Sequence, residues 1–155
     1  MTGVRVSMID LYVARPAGAG FEFLVLRRSA RGRSPGAWEA VHGHLEEGER
    51  PENGARRELL EETGLAPAAM YNLSRVEAFY LHRSDEVAII PVFVALVPPA
   101  ATVTLSDEHD AAEWLPGDAA RERLAWPRSR RALDDIHILL AHGHAGPLED
   151  LLRLC

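Results

Sequence analysis

The chain contains no lysine; all 17 of its basic residues are arginine. That excludes a Schiff-base lysine and the lysine of a phosphate-cradling P-loop. Cysteine is nearly absent too, with Cys155 the single one. An internal disulfide and a cysteine-built zinc site are therefore excluded. No long apolar run is present: the most apolar stretch, residues 87–97, is broken by Pro91. It falls short of the roughly 20 residues that cross a bilayer as a helix. The start of the chain lacks a basic segment followed by an apolar one, so no secretory signal is expected. Basic charge is not in excess, for the formal net charge is −6. A binder of nucleic-acid polymers ordinarily presents a basic face, so that class is disfavoured. A cytoplasmic protein with no membrane attachment is the expectation.

What is present suits one domain over residues 1–155, long enough for a real core. Val4 to Ala14 reads as a strand and Phe21 to Arg28 as a second, with Pro16 to Gly20 as the turn of a hairpin. Ala37 to Val41 is short and strand-like. Pro51 to Thr63 reads as a helix, with proline in its first turn and Gly64 just past its end. Leu73 to His82 and Glu86 to Val97 read as strands, and Ala111 to Leu115 as an edge strand. Gly117 to Leu124 and Arg128 to His142 read as helices. Mixed strands and helices in this order predict an α/β or α+β fold.

The segment Gly43 to Leu65, GHLEEGERPENGARRELLEETGL, holds seven glutamates. Each helical residue turns about 100°, so Glu58, Glu61 and Glu62 share an arc of roughly 100°. Ala55 and Leu59 lie beside that arc and can face a core. Like charges at this spacing repel by a few tenths of a kcal/mol per pair. The bland reading is a solvated acidic face with Arg50, Arg56 and Arg57 as partners. Against it, the arginines are not interleaved on the acidic arc. Clustered carboxylates suit Mg²⁺ or Mn²⁺, which relieve the repulsion.

The same segment resembles the Nudix box. Gly43, Glu49, Arg57-Glu58-Leu59, Glu61-Glu62 and Gly64-Leu65 match its specified positions at the right spacing. The resemblance implies an α/β/α sandwich around a mixed β-sheet. It also implies hydrolysis of a nucleoside diphosphate linked to a further group. Glu58, Glu61 and Glu62 would be metal-binding carboxylates, joined by the backbone carbonyl of Gly43. Glu49 and Arg57 would brace the loop against the helix. Glu108, in Ser-Asp-Glu-His, is the candidate for an extra ligand or general base from outside the box, with Asp107 and Glu113 behind it. Arg27 and Arg28 are candidates for holding phosphate, which suits the planar guanidinium. A second resemblance, to dihydroneopterin triphosphate pyrophosphatases, rests on Trp38, Val41-His42-Gly43, Glu46 to Glu49, Glu108-His109, Trp114-Leu115 and Trp126. His42, His44 and His109 lie near the expected site, and Trp38, Phe79 and Tyr80 are expected in core packing.

These readings combine into a Mg²⁺-dependent pyrophosphohydrolase acting on a small-molecule nucleoside polyphosphate. The substrate would be a triphosphate, with dihydroneopterin triphosphate, a nucleotide sugar or a dinucleoside polyphosphate as alternatives. Homodimerisation is left open. The rival from another class is a non-catalytic nucleotide-sensing module, which would ordinarily have lost a box acid. A prenyl-diphosphate isomerase would need a cysteine in the site.

Overall fold

Successive residues of the central strands alternate between the two faces of one sheet, and that alternation organises the molecule. The computed structural model describes residues 1–155. The strands are β1 (Gly3–Val6), β2 (Met8–Ala17), β3 (Gly20–Arg28), β4 (Trp38–Glu39), β5 (Val41–His44), β6 (Ala69–Leu81), β7 (Glu86–Leu96) and β8 (His109–Pro116). The helices are α1 (Pro51–Thr63), α2 (Gly117–Arg123), α3 (Pro127–Leu139) and α4 (Glu149–Leu152), with a 3₁₀ turn at Gly146–Leu148 before α4.

The sheet is mixed. Its central path runs β1-β7-β2-β3-β4, with β5 on β2, β6 on β7 and β8 on β3. β2 runs parallel to β7 and antiparallel to both β3 and β5. Tyr12, Ala14, Phe23, Val25, Val92 and Val94 face one way and meet Leu124, Leu133, Ile136 and Leu140 near and within α2 and α3. Ile9, Leu11, Val13, Leu24, Leu26, Phe93 and Ala95 face the other way and meet Ala55 and Leu59 of α1. A period of two puts successive side chains on opposite faces, so each strand feeds both cores. The result is the α/β/α sandwich that the box implied.

Helix α1 spans the predicted residues. Gly64 ends it in the left-handed region at φ 70°, with its N–H bonded to the Leu60 carbonyl. Only glycine adopts that conformation without penalty.

Some strand expectations need correction. Val4 to Ala14 is two strands, not one. Val6 pairs with Ile89 and Asp10 with Val92, so four steps on one strand match three on the other. The extra residue is absorbed around Ser7, as in a β-bulge. β4 and β5 are likewise separate, because β4 pairs with β3 and β5 with β2. β6 begins at Ala69, and β8 covers His109 to Pro116. Helix α4 went unread in the sequence. Its Leu152 is buried in the α3-side core.

Candidate active site

The box builds a loop–helix unit on β5. β5 delivers Gly43 to the sheet edge next to α1, and α1 presents its acids towards it. The approach is so close that a Cβ on Gly43 would lie 2.1 Å from Glu58 Cδ. A side chain at Gly43 would displace the Glu58 carboxylate from this position, so the constraint is one of space rather than of backbone angle.

Arg57 ties the unit together. Its Nε and Nη2 each bond a different oxygen of Glu49 at 2.9 Å, and Nη2 also reaches the His44 carbonyl. Its Nη1 bonds Glu58 at 2.8 Å and Glu61 at 3.1 Å. Glu49 in turn accepts from the Glu46 backbone N–H. The Arg57 bonds, with the Glu46 amide, hold the Glu49 carboxyl down to about 2. The arginine therefore does two things: it locks the loop, and it neutralises two acids of the helix face.

Glu62 receives no such help. It is 2% exposed, and its Oε2 is sealed from solvent without a hydrogen-bond partner. Burial, reinforced by the charges of Glu58, Glu39 and Glu108, pushes its carboxyl up to about 9. Burial also raises Glu58, although Arg57 opposes the shift. A sealed carboxyl ringed by other carboxyls is costly unless a cation joins it. The oxygens are not already gathered into a closed ligand set, since Glu58 and Glu61 are turned to Arg57. An all-oxygen donor set of this kind fits Mg²⁺ or Mn²⁺.

In front of the helix lies an open polar cleft of about 520 Å³ with no apolar side chain in its lining. Arg28, His42, Gly43, His44, Glu58 and Glu108 border it. Glu108 thus arrives from a distant loop at the same cleft. Asp107 sits at the rim paired with Arg31, and Glu113 is away from it, paired with Arg123.

The two arginines of β3 diverge. Arg28 faces the cleft, where a bulge between Arg27 and Arg28 breaks the register with β8. Arg27 borders neither this cleft nor the next one; it pairs with Asp110 at 2.6 Å and stands 5.8 Å from the Trp38 ring. Alternation along the strand explains the split.

Three site-bordering residues were not legible beforehand: Glu39, Asp10 and Arg128. Buried Glu39 accepts on Oε1 from Arg28 at 2.9 Å and from His109 Nε2 at 3.0 Å. Burial alone would raise its carboxyl, but the His109 hydrogen bond and Arg28 charge overcome this and lower it. Asp10 is buried in β2 and bonded by His42 Nδ1 at 2.7 Å and by Arg128 Nε at 2.7 Å. A lone acid inside the apolar run Met8 to Val13 was its only sequence signal.

A second cavity of about 580 Å³ adjoins the first, sharing Arg28, His42 and His44. Its lining combines apolar side chains, Met8, Phe79, Leu81, Ile90 and Trp126, with polar ones that include Glu39 and Arg128. Phe79 and Trp126 meet edge to face at 5.5 Å. Phe79 is therefore a cavity wall rather than core, and Tyr80 is exposed and bonded to Asp85. Trp38 is half-buried, with the Arg123 guanidinium 4.8 Å from its ring centroid.

An α/β/α sandwich with an acid-bearing loop–helix unit on β5 is the class of fold that the chain adopts. The family model described as the NUDIX domain matches residues 1–136. The chain belongs to that family. A Myxococcus xanthus protein described as an octanoyltransferase is 40% identical over 112 residues, which is 71% of this chain and 30% of that protein. The mouse oxidized purine nucleoside triphosphate hydrolase is 35% identical over 72 residues, 46% of each chain. The chain thus spans less than half the length of these two relatives. Among solved structures, a C. elegans Ap4A hydrolase binary complex shares the fold at a TM-score of 0.74 and 22% identity, covering 89% of this chain and 99% of that one. The E. coli dihydroneopterin triphosphate pyrophosphohydrolase does so at 0.72 and 22%, with the same coverage.

Proposed function

We propose that this chain is a pyrophosphohydrolase dependent on Mg²⁺ (or Mn²⁺) that cleaves a nucleoside triphosphate or related triphosphate to a monophosphate and pyrophosphate. The observation that carries this reading is the sealed, unpartnered Oε2 of Glu62, one helical turn on from Glu58, which lines the polar cleft. Glu58, Glu61, Glu62 and the Gly43 carbonyl would hold the metal. A divalent cation held there neutralises phosphate charge and makes water easier to deprotonate.

The chain's own groups do the rest. Arg28 has an Nη2 that makes no hydrogen bond within the protein, and it faces the cleft. It is suited to a phosphate oxygen. Glu108 borders the cleft from the opposite loop and is the candidate to accept a proton from the attacking water. Arg57 and Glu49 keep loop and helix in register. The adjoining apolar cavity takes the organic group of the substrate. The mouse relative, a triphosphate hydrolase by its description, supports the triphosphate choice. A cytoplasmic location goes with a free-nucleotide substrate.

The test is product analysis with Mg²⁺ across nucleoside triphosphates, dihydroneopterin triphosphate, a nucleotide sugar and a dinucleoside tetraphosphate. Pyrophosphate released with a monophosphate is expected, and Glu61→Gln with Glu62→Gln should cut kcat by orders of magnitude in a folded protein. Undiminished turnover in that double variant overturns the metal assignment. Cleavage of only the two-ended diphosphates overturns the triphosphate choice.

A further inference from the structure

Resting on the hydrolase reading, we propose that Ser29 is a positioning residue: it holds the two peptide groups that flank Glu108, and so keeps the Glu108 carboxylate on the cleft for the chemical step.

Glu108 lies in residues 97–108, which form neither helix nor strand. No ladder fixes such a segment, so its place depends on individual hydrogen bonds. On one side the loop is laced to α1. The Thr104 N–H bonds the Thr63 carbonyl at 2.8 Å, and the Ser106 N–H bonds the Glu62 carbonyl at 3.4 Å. On the other side the buried His109 ring bonds Glu39 at 3.0 Å. Between these ties stands Ser29, 8% exposed and directly after Arg28 at the end of β3. Its Oγ donates to the Asp107 carbonyl at 2.7 Å, and its N–H donates to the Glu108 carbonyl at 2.9 Å.

Those two carbonyls belong to the peptide groups before and after the Glu108 Cα. A peptide group is planar, so fixing both planes fixes φ and ψ of Glu108, and with them the direction of its Cα–Cβ bond. The other bond on these groups, from the Glu108 N–H to Ser106 Oγ, is longer at 3.4 Å and stays within the loop. The Glu108 side chain is exposed and borders the same cleft as Gly43 and Glu58. Its charge also helps to raise Glu58 and Glu62. A base must stay within hydrogen-bond reach of the water it deprotonates. For an exposed side chain that reach is decided by the backbone beneath it. Because Arg28 and Ser29 are consecutive, one strand end sets the phosphate-holding guanidinium and the base relative to each other.

Removal of the hydroxyl tests this. Ser29→Ala keeps the N–H bond and releases only the Asp107 carbonyl. In that variant kcat should fall about 10-fold and KM should stay within about twofold, since Ser29 does not border the cleft. Ser29→Thr keeps the hydroxyl and should restore most of the rate. In Glu108→Gln, itself slower by about 100-fold, Ser29→Ala should cost nothing further. Hydrogen exchange of the metal-free protein should be faster across residues 106–109 in Ser29→Ala. An equal loss in both backgrounds, a Glu108→Gln enzyme as fast as wild type, or unchanged exchange overturns the proposal and leaves the hydrolase reading standing. If the alanine variant does not fold, Ser29→Cys, close in size and a weak donor, carries the same cycle. A wild type that turns over no triphosphate, nucleotide sugar or dinucleoside tetraphosphate sinks the hydrolase reading, and this proposal with it.

Discussion

Glu62 is where folding and function conflict within one residue. Its carboxyl is buried among other acids, and in the metal-free fold it prefers to be protonated. The unfolded chain ionises it near 4.5, and the metal-free fold only near about 9. Between those values folding takes up a proton, so its contribution is intact below the lower value and is lost as pH rises towards the higher one. In chelator, urea denaturation should show stability falling from pH 5 to pH 9. Glu62→Gln should flatten that slope and add roughly 1–3 kcal/mol at pH 7.5. Mn²⁺ affinity of the wild type should rise over the same range, because binding displaces the proton. A Glu62→Gln protein no more stable than wild type in chelator at pH 7.5 contradicts this account. Glu49 has the opposite sign. Its carboxyl is lowered, so its contribution stands above 4.5 and is lost as pH falls towards about 2. The two windows do not overlap.

The loop–helix unit of β5, residues 45–50 and α1 is the element that matters most. Much of it was legible from local signals. Pro51 and Gly64 bound α1 because their backbone constraints act within one turn. The acidic arc follows from helical periodicity alone. The resemblance implied a Glu49–Arg57 brace, but nothing local signalled the further Arg57 bonds to the His44 carbonyl, Glu58 and Glu61. Lysine cannot reproduce a fork that meets both Glu49 oxygens and a carbonyl together. Arg57→Lys should therefore weaken Mn²⁺ binding by about 10- to 100-fold while the far-ultraviolet dichroism stays unchanged. Titration by electron paramagnetic resonance measures this, and an unaltered affinity would show that the fork is dispensable. The break at Ser7 was not legible, because it is set by register against β7, some 80 residues on.

On the scale of the whole molecule, one sheet separates two cores and the site lies where distant segments meet at its edge. Arg28, Glu39, Gly43, Glu58 and Glu108 come from β3, β4, β5, α1 and the loop before β8. The far core also depends on the end of the chain described. Leu152 is 4% exposed in the core that faces α3, which Tyr71, bridged to Arg153, shares. Leu152→Ala should cost roughly 2–4 kcal/mol in urea denaturation, as for other buried leucines. It should leave the metal affinity alone, because the α1-side core is separate. A coupled loss of both would mean that the two cores do not act independently.

The sequence by itself determined the box, the helix that carries it and the arc of clustered acids, and the resemblance of the box implied a sheet covered on both faces. Those are local properties: turn per residue, alternation, and backbone limits at proline and glycine. Only the tertiary structure decided which arginine of the Arg27–Arg28 pair faces the cleft. It alone placed Glu108 on the same cleft as Glu58, and it brought Glu39 and Arg128 to the neighbouring cavity, with buried Asp10 bonded to Arg128. These residues are separated by up to 118 positions along the chain. Contacts of that range depend on strand register and layer packing, which no local pattern encodes.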